Sequence, residues 1–267
     1  MNTKKRILVW IGGFIILYIG VCIGFYSIQE SFYFHLKKLP KDHVFQSEKE
    51  SKVLTINTTD GYKLNGVLVK SDSSRGLILF LHGSGGNINK YFIHNRDSIY
   101  TDLGYDIFLL DYRGYGKSEG KINNENQFTD DLDRVYLHMK NMYEEKEIVI
   151  IGFSLGTFAA SYLASKNNPK LLVMESAFYS GEELNKKRFF FLPVSLLSKY
   201  KLETYKYVKD TKVPIAFFFG SMDYLSFDER WYQLLKPGDK LTILEGEPHI
   251  DFAHNKQYID ELQTLLK

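Results

Sequence analysis

From Val53 onward the chain alternates between short apolar runs and longer stretches of helical period. The runs are Leu77–Leu81, Ile107–Leu110, Ile148–Ile151, Leu171–Met174, Ile215–Phe219 and Leu241–Leu244. Apart from Thr242 in the last, each is continuous rather than alternating, which predicts strands buried on both faces. Helix-length segments lie between most of them: Ile88–Leu103, Gln127–Met142, Thr157–Ser165, Ser226–Leu235 and Asn255–Leu266. That order predicts an α/β fold, a mainly parallel sheet with helices on both faces. Ahead of it, Val53–Asn57 and Tyr62–Lys70 predict a hairpin about Asp60-Gly61. One connection, Phe178–Lys212, is longer than a single crossover helix needs. It carries Lys186-Lys187-Arg188 followed by Phe189-Phe190-Phe191-Leu192-Pro193. This insert reads as a small cap, as a surface segment whose aromatics pack onto the core, or as a membrane contact.

The N-terminus has no such alternation. Ile7–Ile28 is 22 residues without a formal charge; as a helix it reaches about 33 Å, enough to cross a hydrocarbon core of about 30 Å. It shows no polar face, so a bilayer rather than a protein core is its expected partner. Lys4, Lys5 and Arg6 precede it and Glu30 follows it, which places the N-terminus in the cytoplasm and the rest outside, an asymmetry that Lys37 and Lys38 soften. No small-x-small site closes the run, so a cleaved signal peptide is disfavoured. Ile19-Gly20-Val21-Cys22 faintly resembles a lipoprotein box, with valine where a small residue is preferred. The expected organisation is an anchor over 1–30, a connector over 31–52, and a domain over 53–267 with the insert at about 178–212.

Composition adds bounds. The chain has 267 residues, 44% hydrophobic and 25% charged, enough for one sizeable core. A net charge of +2, with basic and acidic residues interleaved, argues against nucleic acid as a partner. Cys22 is the only cysteine, so no intrachain disulfide framework exists. No cluster of histidine and carboxylate has metal-ligand spacing, and neither metal nor organic cofactor is expected.

In a parallel sheet the reactive groups sit beyond the carboxyl ends of the strands. Gly152-Phe153-Ser154-Leu155-Gly156 follows one apolar run and opens a helical stretch, which makes Ser154 a candidate nucleophile on a strand-to-helix elbow. A hydroxyl needs a base, and the base needs an acid to fix its tautomer. His249 follows the last strand and Asp223 the one before it. His254 competes as base, Glu175 as acid, and Asp228, expected within a helix, is a third acid. Leu81-His82-Gly83-Ser84-Gly85-Gly86-Asn87 closes a strand with a glycine-rich turn that would offer the Ser84 N–H opposite that of Leu155, two donors for an oxyanion. His82 reads as a brace of that turn. The lysine and Ser/Thr pair of a phosphate-binding loop is missing.

Together with Asp111-Tyr112-Arg113-Gly114-Tyr115-Gly116-Lys117-Ser118-Glu119-Gly120, these motifs resemble the α/β-hydrolase superfamily, and within it the membrane-anchored serine hydrolases with an N-terminal helix and short cap. The resemblance runs from about Val53 to the C-terminus. It implies Ser154 as nucleophile, His249 as base, Asp223 as its orienting acid, Ser84 and Leu155 as the oxyanion hole, and a structural turn at Arg113. Glu247-Pro248 stands before His249 where the family commonly has a small residue, and Glu247 is placed to stabilise a charged imidazole. The implied activity is cleavage of an ester, thioester or amide through an acyl-enzyme, with an acyl or lipid substrate suggested by the anchor. A serine peptidase of the same fold and a catalytically silent membrane-bound interaction module are the alternatives.

Overall fold

A computed structural model describes residues 2–267. Helix α1 (Thr3–Ile28) begins at Asn2, whose side chain caps the Lys4 N–H. Along nearly its whole length it exposes apolar side chains, Trp10, Phe14, Ile16 and Leu17 among them, and only Phe25 is buried. Its length and composition suffice to cross a membrane, and water is a poor solvent for such a surface. After Gln29 come the short α2 (Glu30–Tyr33) and the two-residue strand β1 (His35–Leu36).

The body is one eight-stranded sheet. Its strands are β2 (Ser51–Asn57), β3 (Lys63–Val69), β4 (Leu77–Leu81), β6 (Asp106–Asp111), β7 (Ile148–Phe153), β8 (Leu171–Glu175), β9 (Ile215–Gly220) and β10 (Lys240–Leu244), while β5 (Gly85–Gly86) pairs with β1 outside it. The order across the sheet is β10-β9-β8-β7-β4-β6-β3-β2. Pairings from β10 to β6 are parallel, and β3 and β2 are antiparallel, closing the hairpin. The expected runs are the observed strands to within a residue or two at each end.

Strands β4, β6, β7, β8 and β9 are buried at each position because each feeds two cores, whereas β10, expected to be buried on both faces, is the sheet's edge strand and only Leu244 is fully buried. Leu77, Leu79 and Leu81 face one layer, with α5 (Glu125–Lys140) and α6 (Leu155–Lys166); Ile78 and Phe80 face the other, with α3 (Asn89–Ile93), α4 (Arg96–Asp102) and α10 (Lys256–Leu265). Between β8 and β9 the chain forms α7 (Gly181–Arg188), α8 (Val194–Leu197) and α9 (Thr204–Asp210).

Two expected helices differ. Ile88–Leu103 is broken into α3 and α4 at Asn95, which adopts φ +49°, a conformation asparagine tolerates and a continuing helix does not. Ser226–Leu235 is instead a 3₁₀ segment, Glu229–Leu234. Asp228 lies outside it as its cap, drawing the Arg230 N–H onto its carboxylate, and the N–H of Ser226 is committed to Asp223.

Candidate active site

At the end of β7 the chain turns into α6 through a single residue. Ser154 takes φ +50°, ψ −116°, a conformation costly for a side chain and held by what surrounds it. Its N–H donates to the Glu175 carbonyl at 2.9 Å and its carbonyl accepts the Thr157 N–H at 2.9 Å. The flanking glycines answer a steric demand: a Cβ at Gly152 would strike the Gly156 backbone, and one at Gly156 the Leu81 carbonyl. The Ser154 hydroxyl caps nothing in α6 and is left for another partner.

That partner is His249. Its Nε2 lies 3.0 Å from Ser154 Oγ and its Nδ1 2.8 Å from Asp223 Oδ2. The loop bearing His249 is fixed onto the end of β9: Met222 N–H donates to the Glu247 carbonyl at 3.0 Å and Gly246 N–H to Ser221 Oγ at 2.9 Å. Gly220 is needed there, since a Cβ would meet the Glu247 carbonyl. Pro248 therefore sits in a loop already held from both sides.

Asp223 is buried and surrounded by donors. Oδ1 accepts the N–H groups of Leu225 and Ser226, each at 3.1 Å, and Oδ2 accepts the Ser226 hydroxyl beside His249. Burial pushes its carboxyl up, but the bonds from His249, Ser226 and Ser176 outweigh that and hold it down at about 2. An ionised Asp223 accepts a hydrogen bond from Nδ1–H, so Nε2 carries the lone pair facing the Ser154 hydroxyl. Ser226 and Ser176 were not singled out in the sequence. Ser176 did leave a structural mark, φ +50° immediately after β8.

The competing residues lie elsewhere. His254 bonds the Glu247 carboxylate at 3.0 Å, and Asn255 takes the same group at 2.8 Å. Glu247 is thus spent on the start of α10 and does not face His249, contrary to expectation. Glu175 points into the opposite layer, where Tyr258 O–H donates to it at 2.5 Å; full burial raises its carboxyl to about 7. His82 donates its Nδ1–H to the Gly83 carbonyl, 2.6 Å away, and burial lowers it to about 3, a neutral brace as expected. Arg113 is buried in paired bonds to Asp131 and Asp60, each at 2.7–2.8 Å, tying the β2–β3 turn to α5.

Ser84 lines the same cleft as Ser154 and His249. Its turn packs directly on the elbow, since a Cβ at Gly83 would come within 2.9 Å of Phe153 and 3.2 Å of Ser154 Cβ. The connector helps hold this turn in place, His35 N–H donating to the Ser84 carbonyl at 3.1 Å, and Tyr115 O–H, from the loop after β6, donates to the same carbonyl at 2.9 Å. Leu155, buried, is the first residue of α6. The cleft has a volume of about 590 Å³, and besides Ser84, Ser154 and His249 its lining includes Phe178, Leu225, Phe32, Lys187 and Arg188. Tyr33 braces its far wall, accepting from Asn185 at 2.6 Å and donating to the Gly181 carbonyl at 2.8 Å.

A family model described as the alpha/beta hydrolase fold matches residues 76–193, from the start of β4 through the elbow into the insert. The esterase PF2001 of Pyrococcus furiosus superposes with a TM-score of 0.67 over 86% of this chain and 97% of its own, at 21% identity. The chain has the α/β-hydrolase fold. An α/β hydrolase from Vibrio vulnificus gives a TM-score of 0.66 at 21% identity, covering 81% of each chain. Among curated relatives, the membrane protein YNL320W of Saccharomyces cerevisiae is 35% identical over 131 residues, 48% of this hydrolase-fold chain and 45% of the relative. Protein bem46 of Schizosaccharomyces pombe is 27% identical over 70% of this chain and 64% of its own. The lysophosphatidylserine lipase ABHD12 of Danio rerio is 32% identical over 48% and 34%. The chain thus spans less than two thirds of the length of each of these three relatives.

Proposed function

We propose that this protein is a membrane-tethered serine hydrolase that cleaves an ester, thioester or amide through an acyl-enzyme. The observation that carries the reading is the relay Asp223–His249–Ser154, with contacts of 2.8 and 3.0 Å, on a strained elbow at the base of the cleft. His249 Nε2 takes the hydroxyl proton as Ser154 Oγ attacks the acyl carbon. The imidazolium so formed is stabilised by ionised Asp223 and then protonates the leaving group. The Ser84 and Leu155 N–H groups receive the developing oxyanion, each such donor worth about 3–4 kcal/mol in the transition state. Water activated by the same His249 resolves the acyl-enzyme and regenerates Ser154.

In this reading residues 1–30 are the anchor, 31–52 the connector and 53–267 the hydrolase domain, with the segment at about 178–212 as its cap. The basic cluster Lys4-Lys5-Arg6 places the N-terminus in the cytoplasm and the domain outside; protection of the domain from protease in intact cells would overturn that orientation. The lipase and esterase names among the relatives, with the anchor, favour an acyl or lipid ester as substrate over a peptide.

The test is fluorophosphonate labelling of the detergent-solubilised full chain. Wild type labels, and Ser154→Ala and His249→Ala do not. Labelling that survives in Ser154→Ala rejects the nucleophile; survival in His249→Ala rejects the base. A wild type that fails to label turns the reading toward a non-catalytic binding module.

A further inference from the structure

The insert is fastened to the anchor helix along a considerable length. Gln29 is fully buried between them: its side-chain N–H donates to the Leu197 carbonyl at 2.7 Å and its oxygen accepts the Lys199 N–H at 2.9 Å. One turn earlier, Phe25 packs edge-on against Phe189 and at a tilt against Phe32, with centroids 5.1 and 6.0 Å apart, in a cluster with the buried Leu192 and Val194. Earlier still, Tyr18 O–H donates to the Phe191 carbonyl at 3.0 Å. From residue 18 to residue 29 these contacts follow the helix axis for about 16 Å.

A helix that spans a bilayer has a defined depth. The uncharged stretch Ile7–Ile28 is about 33 Å long against a hydrocarbon core of about 30 Å, so it can slide by only about two residues. Tyr18 then lies roughly 12 Å below the membrane surface, and it takes the Phe189–Leu192 turn with it. The turn is built for that level. Phe190, Phe191 and Leu196 are 85%, 54% and 87% exposed, a patch without a protein partner among the described residues. The Phe191 carbonyl, costly if bare in lipid, is satisfied by Tyr18. From Lys186 to Leu202 there are five cations and no carboxylate, placed on either side of the apolar turn as interfacial residues are.

The cleft leads to the same junction. Its lining includes Phe32 and the exposed Lys187 and Arg188, and the Phe32 ring packs against both Phe25 of the anchor and Phe189 of the insert. Neither Lys187 nor Arg188 has a carboxylate partner among the described residues. We propose that the Phe189–Leu197 segment is embedded in the lipid surface beside α1, and that the cleft receives an amphiphile with an anionic head directly from that surface. The embedding stands independently of the chemistry at Ser154; the substrate half rests on the serine-hydrolase reading.

The test uses the full chain with Cys22→Ser, reconstituted in vesicles of phosphatidylcholine and phosphatidylglycerol. Single cysteines replacing Phe190, Leu196, Phe14 and Met142 each carry a nitrobenzoxadiazole fluorophore. Brominated acyl chains should quench the labels at 190 and 196 to at least half the extent seen at 14, and leave the label at 142 unquenched. Labels at 190 and 196 that behave like 142, quenched by aqueous iodide and not by bromolipid, overturn the embedding. In a second arm, Phe190→Glu with Leu196→Glu should lower hydrolysis of a vesicle-borne anionic ester at least tenfold, while fluorophosphonate labelling in detergent and hydrolysis of a short soluble ester stay within twofold of wild type. An equal rate on the vesicle-borne ester overturns delivery from the surface. If wild type does not label at all, the hydrolase reading falls, and the quenching pattern still decides the embedding.

Discussion

Asp223 and Glu175 are both carboxylic acids at the carboxyl edge of the same sheet, and both are buried. Asp223 accepts from two N–H groups, a hydroxyl and an imidazole, and burial is overruled: its carboxyl is held at about 2. Glu175 has the Tyr258 hydroxyl on one oxygen and nothing on the other, and burial prevails, lifting it to about 7. The charge of a buried carboxylate is set by the balance between its burial and the donors that converge on it. Only the first can orient and stabilise a protonated histidine in the proposed triad. The second, lifted to about 7, is only partly ionised at neutral pH.

Exchange of ionised Asp223 for an amide gives the largest expected effect. Asp223→Asn should lower kcat about 10⁴-fold in an ester assay, because the amide fixes the wrong imidazole tautomer; a loss below tenfold would place the acid elsewhere. Its depressed carboxyl also contributes stability that is complete above the ordinary 3.8 and lost as pH falls through about 2. Urea melts below pH 4 should lose that slope in the variant.

Glu175→Gln should leave kcat within about threefold and act on stability instead. A folded-state carboxyl raised from 4.5 to about 7 contributes stability that is present below 4.5 and lost as pH rises through 7. That amounts to about 3 kcal/mol across the window. Asp111, also raised by burial to about 7, adds a slope of the same sign to both proteins, so the difference between wild type and variant is the quantity to read. Parallel stability curves from pH 4.5 to 7 would show that Glu175 is ionised throughout and erase the contrast with Asp223.

Removal of one donor is the finest test. Ser226→Ala takes a hydroxyl from the Asp223 oxygen that also meets His249. About 1.4 kcal/mol of orientation should be lost, or tenfold in kcat with KM nearly unchanged. Ser226→Thr, which keeps the hydroxyl, should restore most of it. An unaltered rate in Ser226→Ala would mean that the backbone donors and His249 suffice.

The strands were legible because a strand covered on both faces has no choice but to be apolar throughout, as in Leu77–Leu81 and Ile215–Phe219. Ser154 was legible because the glycines beside it answer a collision with Leu81 and with each other that any sequence must solve. His249 and Asp223 followed from their places beyond strand ends. What escaped notice depends on contacts between distant segments. Nothing local marks Ser226 as a donor to Asp223, Glu247 as a partner of His254 rather than His249, or His35 as a support for Ser84. The break at Asn95 and the capping role of Asp228 were in principle readable, since both residues favour local bonds over helix, but apolar spacing outvoted them.

The buried amide of Gln29 bears on where the protein can be cut. A version trimmed to begin at Ser31, the obvious place to shed the greasy helix, would strip Leu197 and Lys199 of their shared partner and uncover the Phe189 ring. One that starts before Phe25 keeps both and discards most of the apolar surface. The longer form should stay monomeric at concentrations where the shorter one aggregates. By that measure the last turn of the spanning helix belongs to the globular body, and the seam between them lies inside α1.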